Sequence, residues 1–157
     1  MFQVSSFKFH NGGFTLVELI ISMGIIAILA VVSGISFVRY RSQQELSDEG
    51  KTIVTVLRNA QDRSIAQESG GPWGVHFVND DTDYYELFSG SSYPGTTVSR
   101  VNLSSDAQFD NPVTSSTVFF TAVTGLPDAS STIKISLVSD STTSSTINIS
   151  TAGKIQY

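Results

Sequence analysis

The sequence predicts an α+β protein in which a long N-terminal α-helix packs on a C-terminal antiparallel β-sheet or small β-sandwich. Three observations support this class. An apolar run without charged residues extends from Leu19 to Val38. A segment with apolar residues at helical spacing follows it and ends at a strong turn signal, residues 69–72. Most of the remaining chain alternates between apolar and polar positions, which is typical of half-buried strands.

The composition excludes several kinds of function. The chain has 157 residues, a net charge of -5 and no cysteine. Without cysteine there is no disulfide, no thiolate zinc site and no cysteine nucleophile. No basic block is present, so the charge pattern disfavours binding to nucleic acid.

The polar leader, residues 1–13, comes before the apolar run, which is the reverse of an ordinary secretory signal peptide. Lys8 is its only charged side chain. A cut after Gly13 would leave the apolar segment on the mature chain. Residues 14–38 are long enough to cross about 30 Å of hydrocarbon as a helix. We therefore expect a transmembrane half-helix over 14–38 and an amphipathic half over 39–69.

Glu18 is the one acid in the apolar segment. A lone carboxylate near the bilayer centre costs about 2.5 kcal/mol or more, and near a helix end it still needs a partner. After a cut behind Gly13, the amine of Phe14 would lie about one helical turn away. It could neutralise Glu18 within one subunit or between neighbours. The pattern indicates an assembly contact, and an incidental acid at the membrane rim is the alternative.

The stretch Gly13–Leu19, GFTLVEL, resembles the prepilin signature shared by type IV pilins and the pseudopilins of type II secretion. The resemblance implies a prepilin peptidase that cuts between Gly13 and Phe14, and N-methylation of Phe14. It also implies that Glu18 guides the docking of subunits. The implied partners are other pilin or pseudopilin subunits, the peptidase and methyltransferase, the membrane and the assembly platform protein.

The charges that flank the span favour a different orientation from the one that the resemblance implies. Lys8 precedes the span, and Arg39 and Arg41 follow it. Counting these charges alone favours a cytoplasmic C-terminal domain. The resemblance implies a single pass through the inner membrane, with the C-terminal domain in the periplasm or outside the cell and later in a pilus or pseudopilus. We follow the resemblance because the leader has to meet a peptidase that acts at the cytoplasmic face.

The amphipathic half is expected to continue the anchor as one helix from Phe14 to about Glu68. Two helices separated near Gly50 are the alternative, since glycine weakens a helix. The apolar positions of this half fall at helical spacing: Leu46, Ile53, Leu57 and Ala60.

The β-rich domain is predicted over residues 70–157, with about seven short strands. A hairpin over 73–88 places Trp73, Val75 and Phe77 on one face. The Ser/Thr-rich piece 139–145 is predicted to be a solvated loop. The other predicted strands are 98–103, 118–123, 133–137, 147–149 and 154–157.

Three segments are similar to the GspH/FimT branch of minor pseudopilins and minor pilins, whose helix is followed by a β-sandwich. They are 57–66, 73–77 and 84–88. The similarity implies a structural subunit without catalytic activity, either in a type II secretion pseudopilus or in a type IV pilus. The alternatives are a minor pilin that binds DNA for uptake, and a membrane-anchored adhesin or enzyme.

No pattern in the β-rich part predicts a catalytic residue, a metal site or a cofactor. His76 would be the only histidine after processing, and we expect it at the surface or on a sheet face. An acidic turn is expected to be solvated, with calcium binding as the alternative: Asp80, Asp81 and Asp83. An aromatic group is expected to pack in the core and on the sheet, with a partner-binding patch as the alternative: Tyr84, Tyr85, Phe88 and Tyr93.

Overall fold

The N-terminal helix, α1, runs without interruption from Leu16 to Ile65 in a computed structural model that describes residues 13–157. Within α1, the side chains of residues 32–36 and 38 lie outside the described part. The chain divides into two compact units, residues 1–39 and 40–157. The prediction of one continuous helix is confirmed, and the alternative of a break near Gly50 is not observed.

Gly50 has a packing role in the second unit. A Cβ atom at this position would collide with the ring of Tyr157 and would crowd Ser145. The hydroxyl of Tyr157 also donates a hydrogen bond of 3.2 Å to the carbonyl oxygen of Ser47. The glycine that weakens the helix by propensity therefore allows the end of the chain to pack on it.

The end of α1 matches its predicted stop signal. A 3₁₀ turn at Glu68–Gly70 follows the helix, and both Ser69 and Gly70 adopt positive φ values, 59° and 75°. The buried hydroxyl of Ser64 accepts a hydrogen bond of 2.9 Å from the backbone N–H of Trp73. These contacts direct the chain from the helix into the first strand.

The β-rich part forms two four-stranded antiparallel sheets. The first has the order β3-β2-β1-β5 and the second β4-β6-β7-β8. The described strands are β1 Trp73–Val78, β2 Tyr84–Ser89, β3 Thr96–Asn102, β4 Ala107–Asn111, β5 Ser115–Phe120, β6 Ser131–Leu137, β7 Asp140–Ile149 and β8 Ile155–Gln156.

One hydrophobic core in the second unit joins the helix to the inner faces of both sheets. All four predicted apolar positions of the amphipathic half are buried in it. Trp73, Val75 and Phe77 lie in the same core, as their predicted shared face requires. The predicted α+β class, with an antiparallel sheet or small sandwich behind a long helix, is confirmed.

One predicted loop is largely a strand, one predicted strand ends early, and one strand was not predicted. The Ser/Thr-rich piece 139–145, predicted as a loop, lies in β7 from Asp140 onward, and Ser144 and Ser145 pair with β6. The backbone N–H and C=O groups of these polar residues complete the ladder whatever their side chains. The predicted strand 118–123 ends at Phe120 instead, and Val123 lies exposed in a turn with φ 73°. Strand β4 was missed because it has only two apolar positions, Ala107 and Phe109, and because its aspartate and asparagine are depleted in strands.

Candidate functional site

Thr15 caps the start of α1. The backbone N–H of Glu18 donates a hydrogen bond of 3.2 Å to the Thr15 hydroxyl, and the N–H of Leu19 donates one of 3.1 Å to its carbonyl oxygen. A threonine followed three residues later by a glutamate is the sequence pattern of a capping box. Glu18 is thereby fixed in the first turn, where the helix dipole favours a negative charge.

The residues of the predicted processing site are accessible at this end of the chain. Gly13 and Phe14 lie before the helix and have no regular secondary structure, and the Phe14 side chain is 81% exposed. Glu18 is exposed as well. Gly13, Phe14 and Glu18 thus share one uncovered helix terminus. The rest of the predicted leader, residues 1–12, lies outside the described residues.

The first part of α1 is apolar and exposed around its circumference. Its large apolar side chains are between 53% and 75% exposed: Leu16, Val17, Leu19, Ile20, Ile21, Met23, Ile25, Ile26, Ile28, Leu29 and Val31. An amphipathic surface helix would have a polar face opposite its apolar stripe. This segment has no such face, so water is a poor environment for every side of it.

In the part of the chain that the structure describes, no helix combines the length and the apolar character that a membrane crossing requires. The predicted run includes residues 32–36 and 38, whose side chains the structure does not describe.

His76 lies on the outer face of the first sheet, as predicted for a sheet-face histidine, but it is buried. Its ring stacks on Tyr93, with the ring centroids 3.6 Å apart, and its Nδ1 shares a hydrogen bond of 2.6 Å with the Thr117 hydroxyl. Burial lowers the pKa of His76, and the nearby Glu86 carboxylate opposes this effect. The ring is therefore packed between neighbours.

Glu86 forms a charged cluster on the same outer face that the sequence reasoning missed. Its buried carboxylate accepts hydrogen bonds from the Arg100 guanidinium at 2.6 Å and from the Tyr93 hydroxyl at 3.0 Å. Arg100 also lies 4.1 Å from the ring centroid of Tyr84. The signal available in the sequence was the hairpin register, which places Glu86 opposite both His76 and Arg100. The satisfied hydrogen bonds indicate a structural role.

The predicted aromatic group divides between two environments. Tyr85 is buried in the core, whereas Phe88 is buried under Tyr93 on the outer face of the first sheet. Core and sheet-face packing is therefore confirmed for these side chains.

The acidic turn is organised by Asp83. One of its carboxylate oxygens accepts a hydrogen bond from the N–H of Asp80 at 3.1 Å, and the other accepts one from the N–H of Phe109 at 2.6 Å. A set of three acidic or histidine side chains placed to hold a metal ion is not found in the described part of the chain. Asp83 acts as a link between this turn and β4.

Fold and N-terminal motif together define the class: an α+β protein with a prepilin-type N-terminal motif and a pilin-like fold. Residues 8–34 match the family model of the prokaryotic N-terminal methylation motif. No curated protein matches the chain by sequence.

The fold is similar to that of the type IV minor pilin FimU from Pseudomonas aeruginosa, in two crystal forms. The first has a TM-score of 0.58 at 15% identity and covers 74% of this chain and 90% of that chain. The second has a TM-score of 0.53 at 16% identity and covers 71% and 90%, respectively. At these identities the likeness is one of fold.

Proposed function

We propose that the protein is a minor pilin or minor pseudopilin, a structural subunit of a type IV pilus or of a type II secretion pseudopilus. The observation that carries this proposal is the methylation motif at the start of a helix segment whose apolar surface is uncovered on every side. The similarity of fold to a type IV minor pilin supports it.

Processing is the first step of the proposed function. The precursor inserts in the inner membrane through residues 14–38, and a prepilin peptidase cuts the accessible bond between Gly13 and Phe14. The same machinery then methylates the new amine of Phe14. The domain of residues 70–157 lies on the periplasmic or extracellular side, and the assembly platform protein moves the subunit from the membrane into the filament.

Assembly depends on the charge of Glu18 in this proposal. In the filament, the first part of α1 in neighbouring subunits covers the apolar surface of this segment. These contacts take the place of lipid and keep the apolar surface away from water. The Glu18 carboxylate pairs with the Phe14 amine of a neighbouring subunit. An unpaired charge among packed apolar helices is costly, so subunits dock where each acid meets an amine.

Replacement of Glu18 tests this proposal. Glu18→Ala leaves processing intact, because the cleaved bond and the Thr15 cap are unchanged, but it reduces incorporation into filaments at least about tenfold, which is the effect of losing roughly 1.4 kcal/mol. Sheared filaments and membranes are compared by immunoblot. Glu45→Ala is the matched control, since Glu45 is a helix acid that pairs with Arg41 on the surface at 2.8 Å. Equal incorporation of the Glu18→Ala variant and the wild type would refute the docking role.

A further inference from the structure

A groove lies between α1 and the exposed edge of the first sheet. It has a volume of about 270 Å³. Val56 and Asn59 of α1 form one wall, Val98, Ser99 and Val101 of β3 form the other, and Tyr85 lies at its floor. All of these residues belong to the unit of residues 40–157. We refer to this feature as the β3 groove.

The β3 wall of the groove is a strand with a free edge. In the described sheet order, β3 is terminal and pairs only with β2. Most of its residues are exposed, and Val98 is 50% exposed. Because Ser99 pairs with Leu87 and Thr97 with Phe88, a bulge leaves Val98 as an extra residue, and it lines the groove. An unpaired strand edge presents backbone N–H and C=O groups that can accept another strand.

Two buried polar atoms, one at the floor of the groove and one on α1, are unsatisfied. Neither the Tyr85 hydroxyl nor Oε1 of Glu49 has a hydrogen-bond partner among the described residues. Glu49 lies two turns before Val56 on the same side of α1. Burial raises the pKa of the Tyr85 hydroxyl, and the Glu49 charge raises it further, so the two groups are electrostatic neighbours. A buried polar group without a partner costs about 1–3 kcal/mol.

The charges of the surrounding helix do not compensate Glu49. Arg63, at the wall of the groove, is bonded to Glu68 at 3.0 Å and to Asn59 at 2.6 Å. Lys51 pairs with Asp48 at 3.0 Å. Burial raises the pKa of Glu49, which is the expected effect when a carboxylate loses water without gaining a cation. The groove thus has apolar walls and a free strand edge, and the Glu49 carboxylate is an electrostatic neighbour of Tyr85 at its floor.

We propose that an extended segment of a neighbouring filament subunit occupies the β3 groove, adds a strand to β3 and places a lysine or arginine side chain against Glu49 and Tyr85. An ammonium or guanidinium group has several N–H donors, so it can donate to the carboxylate and to the phenolic oxygen together. Side chains two residues away on the added strand point to the same side and would contact Val56 and Val98. This proposal rests on the proposed function, since it takes the partner from the filament.

Photocrosslinking in cells that assemble the filament tests the proposal. The photoreactive residue p-benzoylphenylalanine replaces Ser99 in the groove, or Thr146 on the exposed side of β7 as the control. We expect the Ser99 position to form an adduct with another subunit, at a segment with extended backbone and a lysine or arginine within about three residues, since side chains alternate along a strand. The adduct site is identified by mass spectrometry.

Neutralisation of Glu49 provides the second arm. Glu49→Gln keeps the size of the side chain and removes its charge. The yield of the Ser99 adduct is expected to fall about tenfold, because one charge-assisted hydrogen bond is lost. The yield of crosslinking at the control position should not change. Glu49→Lys combined with a change of the partner's basic residue to glutamate should restore the adduct. Fluorescence of Trp73 during urea unfolding checks that the variants fold.

Four results would overturn the inference: a Ser99 adduct with lipid, nucleic acid or a helical segment; an adduct of the same yield in the Glu49→Gln variant; an adduct with a segment that lacks a basic residue; or filaments that contain the protein but give no adduct at Ser99. In the last case the groove proposal fails alone. If the wild-type protein is absent from sheared filaments, the proposed function fails with it.

Discussion

The two parts of α1 contain the same kinds of apolar residue in opposite environments. Ile20, in the first part, is 60% exposed, whereas Ile53, in the second, is completely buried. The first part has no charged residue between Glu18 and Arg39, whereas the second has nine charged residues from Arg39 to Arg63 and a single apolar stripe. The comparison shows that the arrangement of polar residues, more than apolarity itself, indicates whether a helix packs within its own domain or requires an external partner.

The largest expected difference between the two parts follows from truncating one isoleucine in each. Ile53→Ala should lower the free energy of unfolding by about 2–5 kcal/mol, since it leaves a cavity in the core. Ile20→Ala should leave the stability of the globular unit unchanged. The measurement is urea unfolding of the full chain in detergent, followed by the fluorescence of Trp73, the only tryptophan. Similar losses for both variants would mean that the first part also packs on the globular unit.

A smaller effect concerns the contact between Gly50 and the end of the chain. Gly50→Ala should destabilise the protein, because displacement of the Tyr157 ring costs about 1–3 kcal/mol and exceeds the gain in helix propensity. In a Tyr157→Ala background the same change should instead stabilise it, by about 1 kcal/mol. The four unfolding free energies form a double-mutant cycle. A stabilising effect of Gly50→Ala in both backgrounds would show that the ring contact contributes little.

The smallest expected effect is the pH dependence that Glu49 adds to the packed part of α1. Burial raises the pKa of Glu49 in the folded state above its ordinary value of 4.5, so the folded state binds a proton more readily than the unfolded state. Glu49 therefore destabilises the fold above its raised pKa, and this penalty decreases as the pH falls through that pKa towards 4.5. Glu49→Gln removes the dependence.

The check is the difference in unfolding free energy between the Glu49→Gln variant and the wild-type protein from pH 8 to pH 4. The variant should be the more stable at pH 8, and its advantage should shrink with acidification. An advantage that grows on acidification would contradict the assignment of a raised pKa. Burial opposes a lowering of the Asp110 pKa, but hydrogen bonds from Lys134 and Ser136 lower it in the folded protein. Asp110 therefore adds a pH dependence of the opposite sign, and this contribution cancels in the difference because both proteins contain it.

Much of the fold was predictable because strong local patterns decided it. The spacing of Leu46, Ile53, Leu57 and Ala60 defined the buried stripe of α1, and the turn residues between β1 and β2 defined a hairpin that pairs Val78 with Tyr84. The N-terminal motif was readable for the same reason, since its residues are consecutive.

The features that escaped prediction depend on pairing between distant segments. Strand β4 contains polar residues and is fixed by its register with β6. The contact of Tyr157 with Gly50 joins residues that are more than a hundred positions apart in the sequence. The β3 groove depends on a strand edge that only the sheet order reveals. Local patterns contain no information on these arrangements, because tertiary packing sets them.

The most direct test of the account is the N-terminus of the mature protein. Intact-mass and peptide mass spectrometry of the protein purified from membranes and sheared filaments would identify it. The account predicts a chain that begins at Phe14 with a methylated amine and lacks residues 1–13. A membrane-embedded or filament form that begins at Met1 would contradict it.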